Sequence, residues 1–196
     1  MPDHENRTRQ GLAAALRALL RQRPLDQLRV RELTERCGLR RQSFYYHFKD
    51  VYDLFTWTAQ QERALLLGRL ADCLTWRQAL LDLLGRIEEE RAFYQAMLDH
   101  SGQAGLGKMI PLEEALEAVQ SYYRSRCGTP ANRLAEERDL RYGRALLLSL
   151  LEGWVRGGTA MSPEELADAL ELAAERSAAG AVWQTLQERG GWNQAL

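Results

Sequence analysis

Cysteine is scarce in this 196-residue chain: Cys37, Cys73 and Cys127 are odd in number, far apart and form no CxxC pair. That pattern excludes a disulfide scaffold and a cysteine zinc site, and it predicts free thiols in a reducing cytoplasm. Histidine is as rare. His4, His47 and His100 have no metal-ligand spacing such as HExxH, so neither metal nor cofactor is expected. Long apolar runs are missing too. The longest, Ala145 to Leu151, falls far short of the roughly 20 residues that cross a bilayer, and the opening MPDHENRTRQ is too polar for a signal-peptide core. No stretch alternates with period two, which leaves an all-α chain as the expectation.

Catalytic patterns are equally absent. His100 and Ser101 adjoin, but no nucleophile elbow surrounds them. Gly102-Gln-Ala-Gly-Leu-Gly has the spacing GxxGxG and follows a helical pattern rather than a strand, so it reads as a helix break and not a phosphate loop. Glu88-Glu-Glu and Glu136-Glu read as solvated helix faces. An enzyme is not expected.

Apolar side chains are plentiful, at 45% of the residues, enough for a sizeable core without covalent staples. Over residues 6–22, Leu12, Leu16, Leu19 and Leu20 share one helix face, and Pro24 ends that helix. A short helix at 30–37 turns Val30, Leu33 and Cys37 inward, Gly38 stands at the left-handed C-terminal position, and a third helix covers about Arg40 to Phe48. After a break at Lys49 and Asp50 a long helix runs from about Val51 to Leu70. Further helices are expected near 76–88, 90–99, 111–126, 133–156 and 163–183, the last opened by the capping run Ser162-Pro-Glu-Glu. The segment Ala145-Leu-Leu-Leu-Ser-Leu-Leu is apolar nearly all round, so it needs cover on two sides, by its own body and by a second subunit.

Net charge is only −1, but it is unevenly spread. Residues 1–50 hold 11 Arg or Lys against 6 Asp or Glu (+5), and residues 51–196 hold 15 against 21 (−6). A basic head on an acidic body suits a polyanion. Two short helices about a glycine turn form a helix-turn-helix, whose second helix would lie in a DNA major groove. In RRQSFYYHF, Phe44 and Phe48 face the core with Leu39. Arg41, Gln42 and Tyr46 are placed to read base edges, and Tyr45, His47 and Lys49 to hold phosphates. Tyr45, Tyr46 and His47 have an alternative role as packing or capping groups.

Val30-Arg-Glu-Leu-Thr-Glu-Arg-Cys-Gly-Leu followed by Ser43-Phe-Tyr-Tyr-His-Phe-Lys-Asp resembles the signature of the tetracycline-repressor family over roughly residues 8–57. The resemblance implies a homodimer on a near-palindromic double-stranded operator, with Arg31, Arg41, Gln42, Ser43, Tyr45, Tyr46, His47 and Lys49 at DNA-contacting positions. Three residues depart from the pattern. Arg29 and Arg40 stand where the family has Ser or Thr caps, and Val51 where a phosphate-binding Lys is common. Arg40 joins the expected DNA contacts if phosphate compensates for the lost cap.

The resemblance further implies that the last two long helices pair across a dimer, with Leu147, Leu150, Leu151, Trp154, Leu166 and Leu170 as candidate interface positions or, alternatively, intramolecular core. Trp76, Phe93, Tyr94, Met97, Met109, Tyr122, Tyr123 and Trp154 either line an apolar effector pocket or fill the core. Phe48-Lys-Asp-Val-Tyr-Asp-Leu, Arg91-Ala-Phe-Tyr-Gln-Ala-Met-Leu and Trp154-Val-Arg-Gly-Gly are similar to a branch that includes the activator of dihydroxyacetone-kinase operons, which implies a kinase-like protein partner as the alternative to a small apolar effector. The expectation is an all-α regulator with a three-helix DNA-binding head at 1–50 and a helical dimerisation and ligand- or partner-binding body at 51–196. Repression is its default output, because no activation segment is evident.

Overall fold

The computed structural model describes residues 2–73, 75–111, 133–158 and 160–176. Among these residues there is no strand. The helices are α1 (Pro2–Leu20), α2 (Val30–Arg36), α3 (Arg41–His47), α4 (Val51–Asp72), α5 (Trp76–Glu89), α6 (Arg91–Met109), α7 (Arg133–Val155) and α8 (Pro163–Arg176), with a 3-10 turn at Leu25–Gln27. The helix expected near 111–126 lies outside the described residues, as does the 163–183 helix beyond Arg176.

Most helix ends have local causes. Asp50 caps α4 by accepting from the Asp53 N–H, and Asp53 reaches back to the Lys49 N–H, which makes a cap out of the expected break. Thr75 caps α5 in the same way. At α8 the Ser162 hydroxyl accepts from the Glu165 N–H while the Glu165 carboxylate accepts from the Ser162 N–H, a reciprocal capping box with Pro163 at the first turn. α7 stops where Gly157 turns to φ 76°, and the Gly158 and Gly157 N–H groups then satisfy the Gly153 and Trp154 carbonyls. Helical structure was expected to stop near residue 99. It instead resumes beyond a kink at Gly102 (φ 60°, ψ −166°) and carries α6 to Met109. Only one residue needs the left-handed region, so the chain changes direction without losing its helix.

One continuous core runs from Leu12 and Leu16 of α1 through Phe44, Phe55, Phe93 and Trp154 to Leu170 of α8. In the body α5 packs on α8 and α6 on α7. Arg91 ties the second pair: its guanidinium lies 4.4 Å from the Trp154 ring centroid and donates to the Trp154 carbonyl.

α1 belongs to the head, yet it also packs on α4 and α6. At that seam lies Glu62 of α4, 1% exposed. Its carboxylate accepts from Arg17 of α1 at 2.6 Å, from Nε and Nη2 of Arg86 of α5 at 2.7 and 2.9 Å, and from the Tyr94 hydroxyl of α6 at 3.1 Å. Arg17 also sits 4.2 Å from the Phe93 ring centroid and 3.5 Å from Glu90. Burial alone would push the Glu62 carboxyl up, but the hydrogen bonds and charges of Arg86 and Arg17 outweigh it and hold the group below the ordinary carboxylate range. Burial and the Glu62 charge together push the Tyr94 phenol up. The carboxylate's lone pairs are met by four charge-assisted bonds, three from guanidinium donors and one from a phenol, so its loss leaves two cations without their shared partner.

Glu62→Gln is expected to lower unfolding free energy by about 3 kcal/mol in urea denaturation. Because the folded value of this carboxyl is depressed, its contribution is complete above the unfolded carboxylate range and declines as pH falls through the folded value. The wild-type advantage over Glu62→Gln should therefore shrink in acid, and an advantage independent of pH would contradict this account.

Candidate nucleic-acid interface

The head is built from α1, α2 and α3. α2 begins at Arg29, whose side chain accepts no cap bond. The Glu32 carboxylate instead accepts from the Arg29 N–H at 3.0 Å and pairs with Arg23 at 2.6 Å. Half of a capping box thus survives without the usual Ser or Thr. α2 ends in a Schellman turn: Gly38 adopts φ 65°, the Leu39 N–H donates to the Thr34 carbonyl and the Gly38 N–H to the Glu35 carbonyl. This tight reversal lets α3 begin two residues later. Leu33 and Phe44 are fully buried and Phe48 nearly so; α3 packs on α2 and α2 on α1, and the Phe48 ring lies 5.7 Å from that of Trp57 on α4.

Burying Phe44 and Phe48 dictates what α3 shows to solvent. Arg41 with Tyr45, and Gln42 with Tyr46, form two i, i+4 pairs side by side on the outer face, and all four are exposed. Tyr45 and Tyr46 are 59% and 72% exposed, so packing accounts for neither phenol. Arg40 and Lys49 are exposed at either end of the helix, and Arg31 is exposed on α2, where it pairs with Glu35. Ser43 and His47 are half-buried, and the His47 ring meets Tyr46 edge-on at 4.9 Å. Seven of the nine expected contact residues are therefore exposed, and two are half-buried. Val51, where a phosphate-binding Lys was looked for, is buried.

Sequence reasoning overlooked Glu5 and Thr34. The Tyr46 hydroxyl donates to the Glu5 carboxylate of α1 at 2.9 Å, a contact between residues 41 apart that no local pattern announces. Thr34 is buried with its hydroxyl bonded back to the Val30 and Arg31 carbonyls. Glu62 did leave a signal, because Leu54, Thr58, Glu62 and Leu66 step by four along one face, which places a carboxylate on an apolar stripe.

In the body, Phe93, Tyr94, Met97, Met109 and Trp154 are all buried in the common core. The side chain of Trp76, and Tyr122 and Tyr123 as a whole, lie outside the described residues. A small apolar pocket of about 50 Å³ has other walls, chiefly Leu66, Leu70, Leu80, Leu83, Leu147 and Leu151, with Asp82 at its edge. The expected interface set divides as well. Leu151, Trp154, Leu166 and Leu170 are buried within the chain itself, so in this packing they offer no surface to a partner. Leu147 and Leu150 are half-buried, and Leu146, absent from that set, is 46% exposed. A helix apolar all round has several faces, and its spacing does not say which one its own body covers.

These features make residues 2–48 a helix-turn-helix head of the kind that binds duplex DNA. Residues 12–56 match the model of bacterial regulatory proteins, tetR family. The match lies in the head and its junction with α4, and there the chain is similar to that family of DNA-binding transcriptional regulators. It is 30% identical over 88 residues to the HTH-type dhaKLM operon transcriptional activator DhaS of Lactococcus lactis subsp. lactis (strain IL1403), a match over 45% of this chain. The chain spans about half the length, 47%, of that curated relative. The fold is shared more widely. A solved structure of a dihydroxyacetone kinase operon activator DhaS superposes with a TM-score of 0.70 over 94% of this chain and 98% of that one, at 19% identity. Among the described residues no helix is long and apolar enough to cross a membrane.

Arg40 opens α3 without a side-chain cap. Arg40→Ser should raise the stability of the free protein by about 1 kcal/mol through the restored cap, while operator affinity falls because a cation is lost from the phosphate-facing side. Thermal unfolding and operator titration of one preparation test both, and unchanged affinity would remove Arg40 from the interface.

Proposed function

We propose that this protein is a homodimeric transcriptional regulator that sets the two α3 helices of a dimer in adjacent major grooves of a near-palindromic operator. Residues 1–50 act as the reading head, and residues 51–196 set the spacing of the heads. The observation that carries this reading is the pair of exposed i, i+4 steps Arg41–Tyr45 and Gln42–Tyr46 on a tetR-family head. Arg41, Gln42 and Ser43 meet base edges. Arg31, Arg40, Tyr45, Tyr46, His47 and Lys49 hold phosphates and fix the register. The outward side of α7, with Leu146 beside Leu147 and Leu150, receives the second copy. Repression by occupying a promoter is the simplest output, and a cytoplasmic location follows from the DNA target.

A second reading is activation under the control of another protein. Both similar proteins are described as operon activators. Among the described residues, the pocket of about 50 Å³ is also well below the roughly 300 Å³ at which small-molecule sites begin. On this reading a partner gripping the body shifts the population of head spacings by its differential affinity for them.

Fluorescence anisotropy against the duplex upstream of the coding sequence, with excess competitor DNA, tests the core of the proposal. Binding should be tight and weaken steeply as salt rises. An Arg41→Ala/Tyr45→Ala double variant should lose at least about tenfold in affinity. Salt-independent binding would argue against a phosphate-contacting head. Separately, Leu146→Glu should convert the dimer to monomer in sedimentation while changing monomer stability by no more than about 0.5 kcal/mol. An intact Leu146→Glu dimer would move the interface off this side of α7.

A further inference from the structure

We propose that Glu5 of α1 is an internal competitor for DNA: its carboxylate holds the Tyr46 hydroxyl in the free protein, and a DNA phosphate must displace it. The inference rests on the DNA-binding reading above and adds a device to it. Tyr46 is the most exposed large hydrophobic side chain among the described residues and stands on the outer face of α3. Its hydroxyl nevertheless has a partner, the Glu5 carboxylate at 2.9 Å, and that partner comes from α1 rather than from α3 itself. The bond and charge of Glu5 push the phenol up, and Arg9 of the same helix acts on it in the opposite sense. The phenol therefore stays protonated and keeps its one proton to donate.

A carboxylate and a phosphate oxygen are the same kind of partner for that proton, an anionic acceptor of a charge-assisted bond. Tyr46 has one hydroxyl hydrogen, so it donates to one of them at a time. When α3 approaches a duplex, the phosphates repel Glu5 and compete for the hydroxyl. Breaking the Glu5 bond costs the same on any DNA, so Glu5 lowers affinity for operator and for arbitrary duplex by a like factor, in a head whose net charge of +5 would otherwise bind duplex more tightly.

The test is a double-variant cycle on the full-length protein: wild type, Glu5→Ala, Tyr46→Phe and the two combined. Each is titrated against a duplex selected from a random-sequence pool and against an unrelated duplex of equal length. Both side chains are exposed, so all four proteins should fold alike, which circular dichroism checks. Carbon NMR of ring-labelled tyrosine should show the Tyr46 phenol titrating lower in Glu5→Ala than in wild type. Glu5→Ala should bind both duplexes roughly threefold to tenfold more tightly, the range of one exposed charge-assisted bond. In the Tyr46→Phe background most of that gain should vanish. An equal gain in both backgrounds would reduce Glu5 to a distant charge and overturn the proposal, and weaker binding by Glu5→Ala would make it an aid to Tyr46 instead of a rival. If neither wild type nor Glu5→Ala binds any duplex, the DNA-binding reading falls, and this inference with it. Binding by Glu5→Ala alone would uphold both.

Discussion

The seam between head and body is organised around one buried negative charge. Glu62 is shared between Arg17, which belongs to the head, and Arg86, which belongs to the body, with Tyr94 of α6 on the same carboxylate. A carboxylate in a dry seam would cost several kcal/mol of lost hydration. Four donors converging from α1, α5 and α6 offset that cost, and they do so only when those helices hold one mutual geometry. Apolar packing between the same helices would tolerate sliding or rotation more easily, because dispersion and burial carry little direction. The ionic centre therefore confers orientation in addition to whatever stability it adds.

That constraint bears on how a three-helix head reads DNA. α2 and α3 are seven residues each and bury only one face, so alone they have little core. Their rigidity is borrowed from Leu12, Leu16 and Phe55, which belong to the continuous core that reaches into the body. The core thus runs past residue 50 without a break. Arg86 and Tyr94 join α5 and α6 to α1 through Glu62 and Arg17. Regulators that respond to signals need this kind of shared element, since coupling between two surfaces requires a part of the structure that both of them bias.

The outer face of the head is held in a different balance. Arg31 is paired with Glu35 and Tyr46 with Glu5, whereas Arg41, Gln42 and Tyr45 project from α3 into solvent. A basic surface partly occupied by its own carboxylates binds polyanions less strongly than its net charge suggests.

The amino-acid sequence by itself determined the helices of the head, the turn at Gly38, the burial of Phe44 and Phe48 and hence the outward side of α3, because spacing, caps and glycine act over a few residues. It also determined the cap at Ser162 for the same reason, whereas at Gly102 it announced a break and the structure kept the helix beyond a kink. Only the tertiary structure decided that Glu62 meets Arg17 across 45 residues and Arg86 across 24, and that Tyr46 meets Glu5 across 41. It alone turned Leu151, Trp154, Leu166 and Leu170 into the chain's own core and left Leu146 outside. An amphipathic pattern states that a face is covered, not by what. The partner of a buried charge, or of an all-apolar helix such as α7, is set by where helices far apart in sequence come to rest against one another.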